Sequence, residues 1–62
     1  MSSQLYITRR ENKMKQKEVA EKIGISMQSY HLKETGKREF TVREARMLSK
    51  LFSRSLDELF GG

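Results

Sequence analysis

Apolar positions in this chain recur at the three- and four-residue spacing of helices. The first segment, Leu5 to about Lys13, is weakly amphipathic, with Leu5, Ile7 and Thr8 expected inward and Arg9, Arg10 and Lys13 offering charge. Met14 follows as a plug before the second segment, where Val19, Ala20 and Ile23 form an inward stripe. Gly24 ends that segment, being the residue that most easily takes the left-handed conformation of a helix exit. Lys15 occupies the place of a Ser or Thr cap, so Gln16 is expected to supply the polar contact at that end. Ser26 caps the third segment, which runs to about Thr35. A step of about 100° per residue puts Tyr30 at the centre of its inward arc, between Lys33 and Glu34. Gln28, Leu32 and Thr35 then point away, with Met27 and His31 in between.

Gly36 closes the third segment, and Lys37-Arg38-Glu39 makes a basic connector. Thr41-Val42-Arg43-Glu44 fits a capping box, the hydroxyl serving the third helical N–H and the carboxylate reaching back to the cap. From there Val42, Ala45, Leu48 and Phe52 form a broad apolar arc, widened by Met47 and Leu51, while Arg43, Arg46 and Lys50 take the other side as an ordinary solvated face. Ser55-Leu56-Asp57-Glu58 repeats the capping pattern and starts a short last helix through Leu59 and Phe60. β-Branched residues are few and proline is absent, so the fold class is all-α, a compact domain of four or five short helices.

At 62 residues the chain is expected to form one domain, 1–62, with its core over about 5–60. A domain of this size buries only about 60% of its unfolded surface and leaves little room for a pocket, so no cofactor and no small-molecule ligand are expected. With no cysteine and a single histidine, no disulfide, thiolate site or metal centre is expected either. No apolar run approaches the roughly 20 residues that span a bilayer, and the start lacks the apolar stretch of a signal peptide, so a cytoplasmic protein is expected. Thirteen Lys and Arg against eight Asp and Glu leave a net charge of +5, which favours a polyanionic partner. No serine is paired with a positioned base, no glycine-rich loop follows a strand and no acidic cluster gathers, so no catalytic residues are assigned.

Taken together, Arg9, the run Gln16 to Ser26, the stretch Glu34-Thr35-Gly36-Lys37-Arg38 and the closing Ser55-Leu56-Asp57-Glu58-Leu59-Phe60 resemble the Cro/cI-type helix-turn-helix family of phage and bacterial transcriptional regulators. The resemblance covers roughly Leu5 to Phe60. It implies a five-helix domain whose third helix enters the major groove of double-stranded DNA, acting as a homodimer on paired half-sites and working at the bacterial nucleoid. It places base-reading positions on Met27, Gln28 and Ser29 with a further one at His31, and Leu32 is added as an outward apolar residue suited to a thymine methyl. Phosphate contacts fall to Gln16, Lys17, Ser29, Lys37 and Arg38, and a structural salt bridge to Arg9 and Glu34. Tyr30 departs from the family's usual Val or Ile and fits the core if its hydroxyl reaches the surface; Lys33 departs likewise and fits by burying its stem while its ammonium emerges.

The apolar excess at Met47, Leu51, Leu56, Leu59 and Phe60 is expected to cover a second copy of the chain. The alternative is a protein-interaction module, such as an antitoxin or adaptor, that binds its partner through the same residues.

Overall fold

The helix boundaries follow the caps. In a computed structural model, which describes residues 3–61, α1 spans Ser3–Glu11, α2 Gln16–Ile23, α3 Met27–Glu34, α4 Val42–Phe52 and α5 Leu56–Phe60. The hydroxyls of Ser26, Thr41 and Ser55 accept the N–H groups of Ser29, Glu44 and Glu58 at 3.0–3.1 Å. Glu44 and Glu58 return a bond to the cap N–H of Thr41 and Ser55. At the start of α2 the expected role of Gln16 falls instead to Glu18, whose Oε1 accepts the Lys15 N–H at 2.8 Å. Glu18 stands at the third helical position, from which a carboxylate reaches back to the cap, whereas Gln16 is drawn inward. Gly24 takes φ 76°, ψ 30°, and the Ile25 N–H closes onto the Ala20 carbonyl at 3.0 Å. This left-handed residue lets α3 begin after only three intervening residues.

α3 packs most extensively on α2, α1 on α5 and α3, and α4 on α2 and α5. The core joins Leu5, Val19, Ala20, Ile23, Tyr30, Leu48, Phe52 and Leu59, with Met14, Ile25, Phe40, Met47, Leu51 and Phe60 packed around it. Phe40 bridges the layers, its ring 5.8 Å from that of Tyr30 and 5.6 Å from that of Phe60 in tilted arrangements that suit aromatic quadrupoles.

Three apolar expectations are corrected here. Ile7 is 44% exposed, because the buried ridge of α1 is Leu5, Thr8 and Arg9, and a residue two positions past Leu5 lies on the opposite side. Val42 is 69% exposed: the inward row of α4 is Glu44, Leu48 and Phe52, rotated from the expected arc. The cause of that rotation is polar, since the Glu44 carboxylate turns in to meet the Thr41 N–H and the ammonium of Lys33. Leu59, expected on a partner-facing surface, is 1% exposed and belongs to the core. α5 is short and packs on both α1 and α4, which consumes its second leucine.

Candidate nucleic-acid interface

The inner side of α3 is fixed by a carboxylate. Glu34 sits at the last turn of the helix, buried, and accepts four hydrogen bonds from three elements. Arg9 on α1 grips it with both arms of its guanidinium, Nε to Oε2 at 2.9 Å and Nη2 to Oε1 at 3.1 Å. The third arm, Nη1, reaches the Met14 carbonyl at 2.8 Å and so ties down the α1–α2 turn. The Tyr30 hydroxyl donates to Oε2 at 2.5 Å, and Gln16 Nε2 at the start of α2 donates to Oε1 at 3.0 Å.

Burial pushes the Glu34 carboxyl pKa up, but the bonds from Arg9, Tyr30 and Gln16 outweigh it and hold the group below the usual carboxylate range. The Arg9 guanidinium is raised by its hydrogen bonds to Glu34, against the opposing effect of burial. Burial, and then the bond to Glu34, raise the Tyr30 phenol. Tyr30 itself is wholly buried, so its hydroxyl does not reach the surface; it is satisfied internally, on Glu34. Lys33 departs from expectation in the same way. Its ammonium does not emerge but pairs with Glu44 Oε1 at 2.6 Å under shallow cover, joining α3 to α4. No buried side-chain nitrogen or oxygen among the described residues lacks a partner.

With the inner side pinned, the outer side of α3 is what remains. Gln28, His31 and Met27 are exposed, Met27 by 50%, and Ser29 is half-buried. Leu32 is half-buried rather than fully outward. Its carbonyl accepts the N–H groups of Lys37 and Arg38 at 2.9 and 3.2 Å, which folds the connector back beside it. That fold-back, turning through Gly36 at φ 86°, sets the exposed Lys37 and Arg38 against the C-terminal end of α3. Lys17 is exposed in the first turn of α2. Gln16 has a second partner on this side, its Oε1 lying 3.3 Å from His31 Nδ1. The residues expected at bases and those expected at phosphates thus border one another along α3 and its two flanking ends.

The expected partner surface divides. Leu56, 42% exposed, and the half-buried Phe60 line an open groove of about 620 Å³ with Val42, Ala45 and Phe40. Met47 and Leu51 are half-buried against the core, and Met47 borders a separate depression with Arg43, Arg46 and Lys50.

Two helices about a glycine turn, an internally clamped second helix and a polar outer face are the parts of a groove-reading unit. The helix-turn-helix family profile matches residues 5–59. The chain belongs to this family, in its Cro/C1-type group. No curated protein and no solved structure matches it significantly. The family is DNA-binding and non-catalytic, so the partner of this helix-turn-helix protein is DNA and its role lies in DNA binding. No helix among the described residues is long and apolar enough to cross a membrane.

The sequence pattern pointed to Arg9 and Glu34 but not to the other donors on that carboxylate. A tyrosine one turn before an inward glutamate was the available signal, since i and i+4 share a face. The Lys33–Glu44 pair had no such signal, because Glu44 reads as a cap residue and its inward turn appears only in the structure.

Proposed function

We propose that this protein is a sequence-specific regulator of transcription, a repressor that binds double-stranded DNA as a homodimer with α3 in the major groove. The observation that carries the reading is the two-sidedness of α3: Tyr30 and Glu34 are buried and clamped, while Gln28 is exposed on the opposite face and His31 is exposed beside it, held at its flank by Gln16. A clamped helix presents its outer side chains at a fixed tilt, which direct readout requires. Gln28 can pair bidentately with adenine N6 and N7, worth about 1–3 kcal/mol of discrimination. Met27 and Leu32 offer apolar contact to a thymine methyl, and His31 reads a neighbouring base. Gln16, Lys17, Ser29, Lys37 and Arg38 meet phosphates on either side and set the register.

Repression is the outcome wherever the bound site overlaps one that other DNA-binding proteins need. The Cro/C1 type extends the reading to a phage or mobile-element regulator acting at the bacterial nucleoid. The groove at Val42, Leu56 and Phe60 supplies an apolar surface for the second copy. A two-fold dimer places its half-sites about one helical turn, or 10–10.5 bp, apart.

The test is in vitro selection of bound duplexes at several salt concentrations. A palindromic site with that spacing, whose base preference changes in Gln28→Ala, is the expected outcome. Equal affinity for all sequences refutes sequence-specific regulation, and a single asymmetric half-site refutes the dimer.

A further inference from the structure

The bond between Gln16 and His31 joins the buried clamp to the reading face, and its polarity can be worked out from the clamp. Glu34 is held ionised and its oxygens only accept. The Gln16 group 3.0 Å from Glu34 Oε1 is therefore the amide nitrogen, and the carboxamide oxygen must be the atom that faces His31. An oxygen of this kind accepts and cannot donate. The ring nitrogen opposite it, Nδ1 at 3.3 Å, bonds to it only when Nδ1 carries the proton. In the neutral ring Nε2 is then bare, on an exposed side chain.

We propose that Gln16 is a positioning residue that selects the Nδ1–H tautomer of His31, so that His31 presents a hydrogen-bond acceptor to the major groove. Which base this favours follows from groove chemistry. An acceptor pairs with an exocyclic amino group, adenine N6 or cytosine N4, and is repelled by guanine O6 and N7 and by thymine O4. His31 thus reads an adenine or a cytosine on the strand it contacts, while the opposite tautomer would read guanine. The ring's choice is set three residues deep, running from Arg9 and Tyr30 through Glu34 to Gln16. This rests on the groove-reading function proposed above.

His31 is the only histidine in the chain, so its ring nitrogens can be observed without ambiguity. Two-bond ¹H–¹⁵N correlation spectra of the neutral ring in the free protein are expected to show Nδ1 protonated and Nε2 bare. In Gln16→Ala that preference is expected to fall by about 2- to 12-fold, the range of one ordinary hydrogen bond. In selected duplexes the base position that loses its preference in His31→Ala is expected to be adenine or cytosine, and to relax in Gln16→Ala as well. A protonated Nε2 in the wild-type protein overturns the proposal even if the protein is otherwise sequence-specific. So does guanine or thymine at the position assigned to His31. A wild-type protein with the Nδ1–H tautomer but no base preference anywhere overturns the groove-reading function and the base assignment with it. Because the first spectrum is taken on the unaltered chain, the proposal stays decidable if Gln16→Ala folds poorly.

Discussion

The Tyr30 hydroxyl donates to Glu34 Oε2 at 2.5 Å across one turn of α3, and both residues are buried on the side of the helix that faces the core. A phenol fills this place as a large hydrophobe and still donates to a carboxylate one turn on. Tyr30→Phe keeps the ring and its contact with Phe40 but leaves Glu34 one donor short. Hydrogen bonds to charged groups contribute about 1.5–3 kcal/mol, so the urea midpoint should fall by a corresponding amount. An unchanged midpoint would show that Arg9 and Gln16 alone satisfy the carboxylate.

The same cluster makes stability depend on pH from two sides. Glu34 and Glu44 titrate lower folded than unfolded, so in the interval between the two values the unfolded chain carries more protons and stability rises with pH. Their contribution is complete above the ordinary carboxylate value of about 4.3 and is lost as pH falls through the depressed folded values. For Glu44, burial opposes the shift and the bonds from Lys33 and Thr41 produce it. Tyr30 has the opposite sense: its folded pKa is raised, so its contribution is complete below the ordinary tyrosine value of about 10 and declines as pH climbs beyond it. Urea midpoints across the pH range should trace a plateau between these limits. Glu34→Gln should flatten the acid limb and Tyr30→Phe the alkaline one; an acid limb unaffected by Glu34→Gln and Glu44→Gln would assign it to other carboxylates.

Helices were readable wherever a local rule decides them: the hydroxyl caps at Ser26, Thr41 and Ser55, and the left-handed glycine at 24, are written in neighbouring residues. The rotation of α4 was not, because it depends on Lys33, eleven residues before Glu44 and on another helix. Counting apolar residues favoured Val42, while the structure gives the inward place to a paired carboxylate. The αL residues Lys13 and Ser53 escaped for a different reason, since neither is the glycine or asparagine that advertises such a turn. In the candidate site, positional resemblance named the outward residues of α3. The bond from Gln16 to His31 required coordinates, as it is set by where α2 lies across α3.

Phosphate and base contacts should separate in their response to salt. Lys17, Lys37 and Arg38 are exposed and belong to no ion pair among the described residues, so each is free to displace counterions from DNA. Replacing any one by alanine should lower the magnitude of the slope of log K against log salt by about 0.9, with base preference unchanged. Gln28→Ala should do the reverse, keeping the slope and losing about 1–3 kcal/mol of discrimination at its base pair. Fluorescence anisotropy titrations on the selected duplex and on single-base variants measure both. An unchanged slope in all three lysine and arginine variants would remove the α2 start and the α3–α4 connector from the interface.

Leu59 and Leu56 lie three residues apart on α5 and should part company under mutation. Leu59 is 1% exposed in the monomer, so Leu59→Ala opens a cavity where α1, α4 and α5 meet and should cost about 2–5 kcal/mol. That is a large share of what a domain of this length has, and partial unfolding at 25 °C is expected. Leu56 is 42% exposed on the rim of the groove, where a polar replacement removes little from the monomer's core. Leu56→Ser should therefore leave the urea midpoint of dilute protein within about 0.5 kcal/mol of wild type. If the groove joins two copies, it should also weaken self-association in sedimentation equilibrium and the cooperative filling of two half-sites. A Leu56→Ser protein that dimerises normally on DNA would exclude this groove and leave Met47 and Leu51 as the apolar residues able to cover a second copy.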